Sequence, residues 1–155
     1  MTRRRYFTLD EANALVPELQ ARLTTLLQLV GQLKALRDRI EAAGFPIAQE
    51  GIEADLDRAP IHVRRPLAHF RGLYETMGDT LRAVDQMGAH VKDLETGLVD
   101  FFSLRDGTQE VLLCWRFGEP RIEFWHDLES GFKGRRPVAG QSFVTDRRSD
   151  RYVKP

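Results

Sequence analysis

The chain holds one cysteine, Cys114, among its 155 residues. That excludes an internal disulfide framework and any zinc module built from several cysteines of one chain. No apolar run approaches the ~20 residues that a membrane span needs. The basic start, Met1-Thr2-Arg3-Arg4-Arg5, leads into no apolar stretch, so no signal peptide is expected and a reducing cytoplasm is the expected location. Neither HExxH, nor a Cys-x-x-Cys pair, nor the GxxxxGK[ST] phosphate loop occurs. Net charge is lacking too, with 23 basic and 23 acidic residues.

What is present is a globular composition, 42% apolar and 30% charged, in a length that suits one domain burying roughly two-thirds of its unfolded surface. The charge balance hides an uneven distribution. Arg3, Arg4 and Arg5 give the first five residues +3. Residues 133–155 carry seven basic groups against Asp146 and Asp150, net +5, and the body 6–132 holds 13 basic and 21 acidic residues, net −8. Such ends can contact nucleic acid or an anionic lipid surface. The tail lacks interleaved aromatics apart from Phe143 and Tyr152, which favours a solvated or folded-back tail over a nucleic-acid partner.

Helix signals come first. Thr8-Leu9-Asp10-Glu11 reads as a capping box, and Pro17 either kinks the helix or starts a second one. Leu19, Leu23, Leu26, Val30, Leu33 and Ile40 follow at three- and four-residue steps, with Arg37 where an apolar residue is due. Ala42-Ala43-Gly44-Phe45-Pro46 is a stop signal. Residues 44–65, with Pro46, Gly51, Pro60 and the acidic Glu50, Glu53, Asp55 and Asp57, read as a loop with room for one short helix. Pro66 suits the first turn of a second long helix, whose stripe is Leu67, Phe70, Tyr74, Met77, Leu81, Val84 and Val91, with Gly88 at the missing step. Two such stripes predict an antiparallel, coiled-coil-like helical hairpin. A lone hairpin buries too little, so the stripes imply a homodimer or packing on the segment that follows.

After Gly88 the period becomes two. Leu98–Leu104, Glu110–Arg116 and Arg121–His126 read as three strands of an antiparallel meander, and His90-Val91-Lys92-Asp93 offers a fourth. Asp106-Gly107 suits a type I′ turn. Centring the turns on Asp106-Gly107 and Gly118-Glu119 places Phe102, Val111 and His126 in one row, and Asp100, Leu113 and Phe124 in the next. Val99, Cys114, Glu123, Phe101, Leu112 and Trp125 then share the other face. Both faces are apolar enough to need cover, from the helices on one side and from the carboxy-terminal segment or a partner on the other. A slip of one residue swaps the faces of a whole strand.

These residues carry a resemblance. The opening Tyr6-Phe7-Thr8-Leu9-Asp10-Glu11-Ala12-Asn13-Ala14-Leu15-Val16-Pro17 and the run Val91–Phe101 resemble the bacterial family catalogued as domain of unknown function 2203. So do Leu113-Cys114-Trp115-Arg116-Phe117-Gly118-Glu119-Pro120, Ile122, Trp125-His126 and Gly131-Phe132-Lys133-Gly134-Arg135. The likeness covers roughly residues 5–138. Phe102 departs from the family, which often has proline there. The resemblance implies a helical hairpin plus sheet and brings no established activity or catalytic residues.

The densest polar group lies in the meander: Asp93, Glu95, Asp100, Arg105, Asp106, Glu119, Glu123, His126 and Asp127. Of these, Asp93, Glu95, Asp100, Glu119 and His126 are the candidate ligands of a divalent metal, the carboxylates favouring magnesium, manganese or calcium and the imidazole widening that to zinc or iron. The trial register sets His126 about 10 Å from Asp100, across two strand spacings, which disfavours a dyad between them. Cys114 reads as a small buried thiol. Arg105, Trp115, Arg116, Trp125 and Arg135 are the candidate walls and anchors of a pocket for an anionic small molecule, and Gly131–Pro137 can form an anion-binding loop.

The expected architecture is therefore α+β: a basic segment 1–7, a single hairpin-plus-meander domain 8–138, and a flexible basic tail 139–155. The expected function is a non-enzymatic, homo-oligomeric interaction module with a small-ligand or ion site at the meander. The alternative is a metal-assisted hydrolase using the acidic residues and His126.

Overall fold

Thr8 opens the first helix as its spacing predicts. The Glu11 amide donates to Thr8 Oγ1 at 3.0 Å, and the Thr8 amide donates back to Glu11 Oε1 at 3.0 Å, so two of the helix's orphan donors are satisfied reciprocally. The structure, a computed structural model, describes residues 4–47 and 56–143 and the backbone of 152–153. The acidic Glu50, Glu53 and Asp55 and most of the basic tail lie outside the described residues.

Helix α1 runs from Leu9–Ala42 without a break at Pro17, a length of about 51 Å at 1.5 Å per residue. It ends as expected: Gly44 adopts φ 88°, its amide bonds Glu41 O, and the Phe45 amide returns to Ile40 O, which caps carbonyls the helix leaves open. Helix α2 spans Ile61–Gln86. It starts one turn before Pro66, because Pro60 supplies the first acceptor, taking bonds from the Val63 and Arg64 amides. Its stripe does not continue to Val91. Gly88 is no missing core position but the terminator, with φ 88° and its amide on Asp85 O.

The chain divides into two compact units, residues 24–82 and residues 1–23 with 83–155. In the first, α1 and α2 form the helical hairpin around one seam of Leu33, Leu36, Ile40, Ala59, Val63, Leu67 and Phe70. Leu29 and Leu36 are buried where the stripe pointed to Val30 and left Arg37 in the series. The Arg37 guanidinium instead sits 5.7 Å from the Phe70 ring centroid, its charge against the π face and its stem along the seam.

The second unit holds a five-stranded antiparallel sheet of β2 (His90–Asp93), β3 (Leu98–Arg105), β4 (Gln109–Arg116), β5 (Phe124–His126) and β6 (Arg136–Pro137), in that order. The meander thus has the offered fourth strand and a short fifth. A separate backbone pairing joins β1 (Arg4–Arg5) to β7 (Tyr152–Val153). Ahead of α1, Tyr6 and Phe7 are buried in the same unit as the sheet: the Phe7 amide bonds Phe102 O, and the Phe7 carbonyl accepts from Ser103 Oγ at 2.6 Å.

Register is where the structure corrects the sequence reading. Asp106 and Gly107 have φ 55° and 75°, the two positive angles of a type I′ turn. Thr108 then adds one residue before pairing resumes at Arg105↔Gln109. Strand β4 is therefore shifted by one against both neighbours, pairing Asp100↔Cys114 and Leu112↔His126. One face gains Val99, Phe101, Val111, Leu113, Trp115 and Trp125, all buried, with Phe7 edge-on to Phe101 at 5.1 Å and Asn13 Oδ1 accepting from the Ile122 amide. The other face carries Leu98, Asp100, Phe102, Leu112, Cys114, Phe124 and His126. It is only partly covered, since Leu98, Phe102 and Phe124 stay half-exposed.

The Gly88 terminator gives a first expected result. A Cβ there would stand 2.6 Å from Phe7 Cζ, in a backbone conformation that L residues avoid. Gly88→Ala therefore costs about 2–3 kcal/mol, combining left-handed strain with overpacking, and urea denaturation reads it. A loss under about 0.5 kcal/mol contradicts the close approach.

Candidate functional site

The shift of β4 adds Cys114 to the open face that Asp100 and His126 already share. Asp100 on β3, Cys114 on β4 and His126 at the end of β5 are each nearly inaccessible, at 3%, 1% and 3% exposure. Their ligand atoms all lie within 4.8 Å of one another. His126 Nε2 is 3.2 Å from Asp100 Oδ1. The expected 10 Å separation is thus overturned: Cys114, a small side chain, lies between the two outer strands on this face, and the longer Asp100 and His126 reach each other over it.

The ring is held from behind. A carbonyl can only accept, so His126 Nδ1 donates to Asp127 O at 2.6 Å, which leaves Nε2 as the atom facing Asp100 and Cys114. Asp127 is itself fixed, its Oδ1 accepting the Glu129 and Ser130 amides at 2.9 and 2.6 Å. Those amides, together with the Ser130 hydroxyl, hold its carboxyl below the usual range.

Burial opposes a charged His126. The Asp100 carboxylate, the Cys114 thiol and the Asp127 carbonyl outweigh it and push the ring up to about 10. His90, paired with Asp100 on the next strand, shifts the other way: burial pulls it below its ordinary value against the attraction of Asp85. A ring raised that far keeps its second proton at neutral pH, with Nε2 turned to Asp100 Oδ1 at 3.2 Å.

The sign of the pH effect follows. Because the folded value exceeds the unfolded one, near 6.5, the pair's contribution is complete below about pH 6.5 and lost as pH climbs through about 10. The urea midpoint of chelator-treated protein should fall across that window, and His126→Gln should remove the fall. A level midpoint from about pH 6 to 10 would contradict the pairing.

A cavity of about 250 Å³ opens onto the three residues, lined also by Lys92, Leu98, Leu112, Leu128, Glu129, Gly131 and Phe132. Lys92 is the extra residue of a bulge, since pairing shifts between Val91 and Asp93. Loop 127–131 and the short 3-10 turn Phe132–Gly134 supply the remaining rim.

The other sequence-nominated ligands are elsewhere and differently engaged. Asp93 folds its own turn, Oδ1 accepting the Glu95 amide at 2.8 Å, and that bond holds its carboxyl low. Glu95 is exposed in the same turn. Glu119 accepts from the Arg116 amide at 2.6 Å and from Arg135 Nη2 at 2.5 Å. Arg135 Nη2 also donates to Cys114 O at 3.1 Å and its guanidinium lies 4.2 Å from the Phe124 ring. This pair locks the β4–β5 connection to the backbone of the site rather than supplying a ligand. Trp115 and Trp125 are buried on the opposite face, with Arg105 4.7 Å from Trp125. Arg116 is exposed, 5.8 Å from the Phe132 ring at the cavity rim. Of the five nominated metal ligands, the structure brings Asp100 and His126 together, and it adds Cys114.

A signal for Cys114 was present. With β4 shifted by one, the apolar residues Val111, Leu113 and Trp115 join Phe101, Val99 and Trp125 on one face, while Asp100, Cys114 and His126 collect on the other. That segregation is the better amphipathic solution.

No helix of the described residues is long and apolar enough to cross a membrane. Comparison with curated proteins and with solved structures gives no match to the chain. The model of a family described as "Uncharacterized conserved protein (DUF2203)" matches residues 5–138, which include both helices, the three convergent side chains and the cavity rim. The chain belongs to that family.

Proposed function

We propose that the protein is a metal-binding module whose open sheet face holds zinc through Asp100 Oδ, Cys114 Sγ and His126 Nε2. The observation that carries this reading is the convergence of three buried donors of three chemistries within 4.8 Å. Donor atoms of a tetrahedral zinc site lie about 3.3 Å apart, given metal–ligand bonds near 2.0–2.1 Å, and Nε2 and Oδ1 are already 3.2 Å apart. A thiolate with an imidazole selects zinc or a neighbouring transition metal over magnesium or calcium. The Nδ1–H bond to a backbone carbonyl is the outer-shell arrangement that orients metal-binding histidines. Proton and metal compete for Nε2, so binding releases the proton.

Zinc at one hundred times its dissociation constant should stabilise the fold by about 2.7 kcal/mol, read as a rise in thermal midpoint, with one zinc retained per chain after dialysis. No retained zinc and no shift would refute the reading.

Three protein ligands and a cavity favour a second reading of the same site, metal-assisted hydrolysis. Catalytic zinc keeps one position for water and lowers that water's pKa to about 7, and Glu129 lines the cavity as a candidate base. Turnover of ester or amide substrates that disappears in Cys114→Ala protein supports it; equal turnover in that variant excludes it.

Self-association remains part of the proposal. On α2, Leu73 and Met77 pack on the seam of Leu67 and Phe70, while Tyr74 is 48% exposed and Leu81 is half-buried beyond it, leaving apolar surface for a second copy. Sedimentation equilibrium should give a dimer, weakened by Tyr74→Glu. A monomer at every concentration contradicts this part.

A further inference from the structure

Resting on the metal reading, we infer that the cavity takes a short-chain aliphatic monocarboxylate, its head on the metal's free position and beside Lys92, its tail against Leu98, Leu112, Leu128 and Phe132. Four observations meet here. All three donor residues line the cavity, and three protein donors leave a tetrahedral ion one further position to fill. Lys92 lines the same space and makes no ion pair among the described residues, so the cavity holds a cation that an anionic head can meet. Leu98, Leu112, Leu128 and Phe132 give the rest of the space an aliphatic and aromatic wall, interrupted by Glu129 and Gly131. Moreover, Leu128 and Phe132 are 50% and 41% exposed, two large apolar side chains left open at one rim, which a tail would cover.

Size limits the tail. The space is about 250 Å³ and opens at the rim of Leu128 and Phe132, so a tail long enough to pass that rim reaches solvent and gains nothing from further carbons. Asp100 and Glu129 line the cavity with charge that opposes an anion; Asp100 is taken up by the metal in this reading, and Glu129 stands outside the ligand trio at the exposed rim. A direct bond to the metal outweighs that repulsion.

The test is calorimetric titration of zinc-loaded full-length protein with acetate, butyrate, hexanoate and decanoate. Affinity should rise about fourfold per added methylene while the added carbons stay within the cavity, and level off by decanoate. Hexanol should bind at least about tenfold more weakly than hexanoate. Lys92→Gln should weaken all the acids by a common factor of about ten while leaving zinc content unchanged, Phe132→Ala should flatten the dependence on length, and Glu129→Gln should tighten every acid. Equal affinity across the series, or hexanol matching hexanoate, overturns the inference while zinc content still upholds the metal reading. Failure to load zinc overturns both.

Discussion

Cys114→Ala protein should lose at least about 100-fold in zinc affinity. Removing an outer-shell partner alone costs 10–100-fold, and here one of three direct donors disappears. His126→Ala should do the same. The two variants separate in the metal-free state. Cys114→Ala removes a small buried side chain and should cost about 1 kcal/mol. His126→Ala leaves the buried Asp100 carboxylate without its 3.2 Å partner, which costs about 3–5 kcal/mol. The double replacement Asp100→Asn with His126→Gln trades the charged pair for a neutral one and should recover much of that stability without recovering zinc. Measuring zinc content beside urea denaturation separates binding from folding. If Cys114→Ala retained wild-type zinc affinity, the sulfur would be no ligand.

The second large effect lies behind the site. Trp115 is fully buried on the covered face, one residue beyond Cys114, and its Nε1 donates to Glu119 O at 2.9 Å. Trp115→Ala therefore costs about 3–5 kcal/mol, a large share of the about 5–15 kcal/mol that stabilises a typical domain. At this size each kcal/mol moves the thermal midpoint by about 2–4 °C, so a drop of roughly 10–15 °C is expected. Arg116→Ala, the next residue on β4 but exposed, should change stability by no more than about 0.5 kcal/mol. Equal effects at the two positions would contradict the assignment of covered and open faces.

The hairpin was legible because its signals are local. Thr8 and Glu11 cap each other three residues apart, Gly44 stops α1, and the leucine spacing names the seam to within one neighbour. The strands and the Asp106-Gly107 turn were legible for the same reason. The site was not, because it depends on a count across strands. Thr108 adds one residue to a turn whose type is otherwise as expected, and that residue moves Cys114 from the face opposite Asp100 to the face it shares. Asp93 and Glu119 illustrate the complementary limit. Composition nominates a carboxylate as a ligand, but a nearby amide or guanidinium engages it first, and only coordinates show which carboxylates are spent on turns.

Cobalt substitution tests the metal assignment most directly. Cobalt(II) bound to wild-type protein should give d–d bands of tetrahedral intensity together with a thiolate-to-cobalt charge-transfer band, and Cys114→Ala should lose the charge-transfer band. A wild-type spectrum of weak octahedral bands with no sulfur transition would mean that Asp100, Cys114 and His126 pack the sheet without ligating an ion.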